Sequence, residues 1–121
     1  MAFLITSAGK SFVYMGSTYV STSDSTFSTS NWFNIVLTRE QTSPSHIFTM
    51  YKNASQVASQ AITRNLSSTA VLPTIGKANR SGYINAGMAN GQLGPVQIYN
   101  RALSAEEVLH NYNALKGRFG L

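Results

Sequence analysis

Acid–base cleavage of a glycosidic bond needs two carboxyl groups about 5–10 Å apart, one as acid and one as base or nucleophile. This chain has four acidic residues: Asp24, Glu40, Glu106 and Glu107. The last two are adjacent in a segment with helical spacing, so they project about 100° apart, and capping a helix is the simpler task for both. Two histidines, His46 and His110, are too few for a three-histidine zinc site and lie in no HxxxH or ExxH arrangement. The spacing places His46 at the start of a strand and His110 on the exposed side of the helix. Serines are plentiful, but none occupies the GxSxG turn that presents a hydrolase nucleophile. The chain has no cysteine, which removes disulfides, thiolate metal sites and thiol nucleophiles together. Asp24 alone in a Ser/Thr-rich stretch is a poor calcium site. The expectation is a non-enzymatic chain with no catalytic residue, no metal site and no cofactor.

The elements that would position any site are mostly strands. From Ala2 to about Asn100, short β-branched and aromatic segments alternate with Gly, Ser, Asn and Pro, the pattern of an antiparallel sandwich. Strands are expected at 3–6, 11–15, 18–21, 32–39, 46–52, 56–63, 72–77, 81–86 and 91–99. In NWFNIVLTR, Trp32, Asn34, Val36 and Thr38 share one face while Phe33, Ile35, Leu37 and Arg39 share the other. Both faces are apolar, which reads as a central strand with Trp32 in the core. The stretch from Ser21 to Ser30 contains one large apolar residue, Phe27, and reads as a surface loop or weak edge.

The last twenty or so residues change period. In RALSAEEVLHNYNALKG, Ser104 is placed to cap a helix with Glu107 reaching back to it, and Leu103 and Val108 form a hydrophobic staple across the cap. Val108, Leu109, Tyr112 and Leu115 make an apolar stripe, and Gly117 is placed to supply a left-handed C-terminal cap. The expected helix runs from about 105 to 116. The whole, residues 1–121, reads as one all-β sandwich domain closed by this helix.

Composition narrows the setting. Only 11% of residues are charged, against about 25% in ordinary soluble domains. An uncharged polar surface packs against neighbours at low desolvation cost, which favours a component of an assembly. The net charge is +5, yet the basic residues are scattered and no nucleic-acid-reading motif occurs. Neither nucleic acid nor membrane is expected as a partner. The opening MAFLITSAGK lacks the basic region and long apolar run of a secretion signal.

Three segments carry a family resemblance: NWFNIVLTR around Trp32, MYKNASQV where relatives have a Tyr-x-Asn-Gly turn, and LPTIGKAN followed by GQLGPVQIYNRALSAEEV. Over about Asn31–Gly120 the chain resembles laminin G-like jelly rolls of the concanavalin A-like lectin/glucanase superfamily. The ExDxxE pattern of sandwich glucanases is absent. The ending from Tyr99 onward is also similar to structural proteins of tailed bacteriophages. That resemblance implies a capsid decoration or fibre protein on the virion surface, made in the host cytoplasm, bound to other virion proteins and forming a homo-oligomer. The alternative it implies is a lectin-like adhesion module. For glycan contact the best segment is Asn79, Arg80, Tyr83 and Asn85, while Trp32, Tyr99, Leu103, Ser104, Glu107, Val108 and Gly117 are expected to be structural. Because the Trp32 segment comes early for such a module, an N-terminal strand is expected to pair with another subunit or a shell protein.

Overall fold

The computed structural model describes residues 2–5, 9, 11–15, 18–23, 26–27, 31–63 and 92–121. The expected strands at 72–77 and 81–86, and with them Asn79, Arg80, Tyr83 and Asn85, lie outside the described residues.

Among the described residues, two antiparallel sheets of three strands each form from consecutive segments. β1 (Ala2–Ile5), β2 (Ser11–Met15) and β3 (Thr18–Ser21) make one meander, and β4 (Ile35–Gln41), β5 (His46–Lys52) and β6 (Ser55–Ile62) make the other. Each strand therefore pairs with its neighbour in sequence. The N-terminal strands thus find ladder partners in one another, Ala2 opposite Tyr14 and Val13 opposite Val20. β1 and β3 each keep one edge with no described partner strand, and the expected pairing of an N-terminal strand with another subunit or a shell protein concerns those edges.

Side-chain alternation in β4 and β5 sorts the core into two layers. Phe48 and Met50 of β5, with Leu37 of β4 and Ile62 of β6, meet Val13 and Val20 of the first sheet. On the opposite face, Tyr51 and Val36 meet Leu103 and Val108 from the helical region. The second sheet is thus covered on one face by the first sheet and on the other by helix α1 (Ala105–Leu115). This explains the two apolar faces of β4. Among the described residues β4 is an edge of its sheet and β5 is central.

Buried polar groups are paired where the sheets meet. Ser11 and Thr22, both buried, exchange backbone and hydroxyl hydrogen bonds: the Ser11 N–H donates to Thr22 Oγ1 at 2.9 Å and the Thr22 N–H to the Ser11 carbonyl at 3.1 Å. The Ser11 hydroxyl also reaches Met50 Sδ at 3.4 Å, joining one sheet to the other.

The β5–β6 turn departs from the best turn chemistry. Asn53 and Ala54 both have positive φ, 49° and 64°, the arrangement for which Asn-Gly is preferred. An alanine held there is strained by its Cβ, at a cost of roughly 1 kcal/mol. Ala54→Gly is expected to stabilise the fold by somewhat less than that, because its methyl group packs partly on Tyr51 and its neighbours. Urea denaturation checks this: the midpoint rises and the slope is unchanged.

Three sequence expectations need correction. The ladder of β4 begins at Ile35, not at Trp32. Its partner β5 ends at Lys52 and turns at once, so no strand residue stands opposite Trp32 to enclose it. Trp32 is 38% exposed and packs on Phe119 with ring centroids 4.9 Å apart. Residues 92–99 of the expected final strand join no ladder. Pro95 removes a donor there, and Leu93, Val96, Ile98 and Tyr99 are exposed on both parities. Finally, Gly117 is not the left-handed cap. The chain continues through a 3-10 turn, Lys116–Phe119, and Gly120 at φ 67° ends it. That extra turn carries Phe119 to Trp32. Gly94 fits against the pair, since a Cβ there would lie 3.1 Å from the Phe119 ring.

Candidate functional site

The helix start is built as its residues dictate. The Glu107 N–H donates to Ser104 Oγ at 3.3 Å, and the Ser104 N–H donates to Glu107 Oε2 at 2.9 Å, a complete capping box. Arg101 then grips the same carboxylate with both terminal nitrogens, at 2.7 and 2.6 Å. The Ser104 hydroxyl donates to Glu106 Oε2 at 2.8 Å. Val108 is fully buried and Leu103 nearly so, as the staple requires. Leu109, by contrast, is 49% exposed, since a turn of about 100° from Val108 carries it off the sheet. Asn111 donates to the Tyr99 hydroxyl at 3.1 Å, tying the segment before the helix to the helix itself. Tyr99 serves there from an exposed position.

The carboxyl of Glu107 is held down at about 2, first by the Arg101 guanidinium hydrogen bond and then by the Ser104 N–H. The Ser104 hydroxyl likewise lowers Glu106. A carboxyl whose folded value lies below its unfolded one adds stability that is complete above the ordinary carboxylate range and fades as pH falls toward about 2. Arg101→Ala is expected to move the Glu107 titration midpoint upward and narrow that window, read directly by carboxyl NMR across an acid titration. Both acids at the helix start are therefore committed to local structure. His46 starts β5 and receives the Arg39 guanidinium at 3.3 Å, while His110 is exposed on the helix.

A groove of about 570 Å³ lies between β4 and the extended segment 95–101. Its first wall is the unbroken run Asn34–Arg39; its second comprises Pro95, Gln97, Ile98, Tyr99, Asn100 and Arg101, with Leu103, Asn111 and Leu115 beneath. Asn34 is anchored at the hairpin end: its N–H donates to Asn53 Oδ1 at 2.8 Å and its carbonyl accepts from the Asn53 N–H at 3.0 Å. Its own buried Oδ1 accepts no hydrogen bond. The groove thus offers amides, a phenol, two guanidinium groups and apolar side chains, with no carboxylate in its lining. No group of three or more His, Cys, Asp or Glu able to hold a metal occurs among the described residues. No described helix is long and apolar enough to cross a membrane.

Sequence reasoning placed no ligand contact in this groove and named only Tyr99 and Leu103 of its lining, as structural residues, since the two walls come from segments far apart in the chain. Trp32 and Phe119 pack on each other beside Gly94, a contact that spacing alone does not reveal.

Comparison with known proteins returns one finding. The family model for the laminin G-like group of the concanavalin A-like lectin/glucanase superfamily matches residues 1–109, so the match includes the N-terminal meander as well as the segments around Trp32 and the helix cap. No curated protein and no solved structure matches the chain. Antiparallel sheets, a capped C-terminal helix and a family match over most of the sequence agree, and the chain belongs to the concanavalin A-like lectin/glucanase superfamily as a laminin G-like domain.

Proposed function

We propose that this domain is a non-catalytic binding module of a protein assembly: a decoration or fibre component on the surface of a tailed-phage particle, closed in full as a jelly-roll sandwich. The observation that supports this reading is the apolar run beside the groove. Leu93, Val96 and Ile98 are 63%, 57% and 89% exposed, in a chain with 11% charged residues. Apolar area left in water costs about 25 cal/mol per Å², and large exposed apolar side chains gathered in one segment favour a docking surface. The phage-like ending from Tyr99 onward supports the virion setting. A density map and mass spectrometry of purified particles test it. Copies over the capsid lattice establish decoration, copies at fibre tips establish an appendage, and absence from the particle overturns the virion role.

A second reading has its own support. Asn34, Gln97, Tyr99, Arg101 and Asn111 line the groove, and amides with an aromatic edge are the groups that recognise sugar hydroxyls. Glycan-array binding that Tyr99→Ala abolishes would favour a lectin-like module; no binding across the array would remove it.

A further inference from the structure

We infer that the groove along β4 takes one extended strand of a partner polypeptide, with a carboxylate side chain where that strand passes Arg39. This rests on the assembly role above and names the partner's chemistry.

The backbone supplies the first argument. At one end of the β4–β5 hairpin the Asn53 N–H donates to the Asn34 carbonyl, and at the other the Thr42 N–H donates to the Ser45 carbonyl. Residues that bond to the partner strand alternate along an antiparallel ladder. Counting from either end gives one parity: Asn34, Val36, Thr38, Glu40 and Thr42 turn toward β5. Ile35, Leu37, Arg39 and Gln41 therefore direct their N–H and C=O groups to the other edge, where no described strand pairs with them. Ile35, Leu37 and Arg39 all line the groove.

A wall made of consecutive residues from an alternating strand is a strand edge, not a sheet face. The outward residues recur about every 6.6 Å, the two-residue repeat of an extended chain. Such an edge is completed by adding a strand, main chain to main chain. The facing wall does not complete it, and at Pro95 it has no N–H to offer.

Charge selects the occupant. Arg101 is neutralised by its two-pronged contact with Glu107. Arg39 meets only the His46 ring among described side chains, and no carboxylate lines the groove. An incoming acidic side chain beside Arg39 meets an unopposed guanidinium. Ile98, 89% exposed on the opposite wall, offers apolar contact to alternate residues of the same strand. A glycan would use the side chains and leave the alternating backbone donors unmatched.

The test is selection of binders from a displayed library of random peptides about nine residues long, within ordinary strand length, against the folded chain. Selected peptides are expected to alternate apolar and polar positions and to contain Asp or Glu. On binding, amide exchange should slow at Ile35, Leu37 and Arg39 but not at residues already bonded to β5. N-methylation of alternate peptide residues and Arg39→Glu should each weaken binding roughly tenfold or more, with the spectrum of the free protein otherwise unchanged. Failure to select any peptide, or protection without that alternation, overturns the inference. So does glycan binding in the groove with no peptide binding. Presence of the chain on particles without peptide binding sinks this inference alone, whereas absence from particles sinks the virion reading.

Discussion

Phe48→Ala is expected to destabilise the chain by about 3–5 kcal/mol, the cost of removing a large aromatic side chain from a packed interior. Phe48 has no exposed surface and lies in mid-β5, where it meets Val13 and Val20 of the other sheet together with Met50 and Ile62. It is the largest residue of the cluster that joins the two sheets, so the void it leaves opens between layers that other contacts already hold apart. Against a total stability of about 5–15 kcal/mol, the loss removes a large share. The urea midpoint should fall steeply with little change in slope. A loss below about 1 kcal/mol would mean that the two sheets share no core, and the layer arrangement would have to be abandoned.

The second large effect falls where composition points away from it. Phe27→Ala is expected to cost about 3 kcal/mol, although Phe27 sits in the Ser/Thr-rich stretch that reads as a surface loop. The ring is 2% exposed. It packs on Phe33 with centroids 5.0 Å apart, and the Lys52 ammonium lies 5.6 Å from its centre. The Phe27 N–H donates to the Gly9 carbonyl at 2.9 Å, and Lys52 also donates to the Thr26 carbonyl. The ring thus holds this stretch to Phe33 and the end of β5, while the backbone bond ties it to the β1–β2 connection. Leu109→Ala is the control: although leucine is the more obvious core residue by type, its exposed position predicts a change within about 0.5 kcal/mol. Thermal or urea unfolding of the two variants side by side separates the cases, and equal effects would show that Phe27 does not anchor the loop.

Local signals were enough wherever the deciding interactions are local. β2, β3 and β5 begin and end where alternation and flanking turn residues place them. The helix starts at Ala105 because Ser104, Glu107, Leu103 and Val108 fall within a few positions of one another, and every contact of the capping box and staple is made inside that stretch. The family was legible in the same way, from short motifs that the match over residues 1–109 bears out. Positions where residues distant in sequence meet were not legible. Trp32 leaves the core because β5 turns before reaching it, Gly117 loses the cap to Gly120 because a further turn brings Phe119 against Trp32, and Phe27 is buried because Phe33 and Lys52 arrive from other segments. The groove belongs to this second kind: neither β4 nor residues 95–101 encodes it alone. Alternation and capping are properties of neighbouring residues and can be read along a chain. Burial and an unpaired edge are properties of what lies across from a residue, and only the folded arrangement decides that.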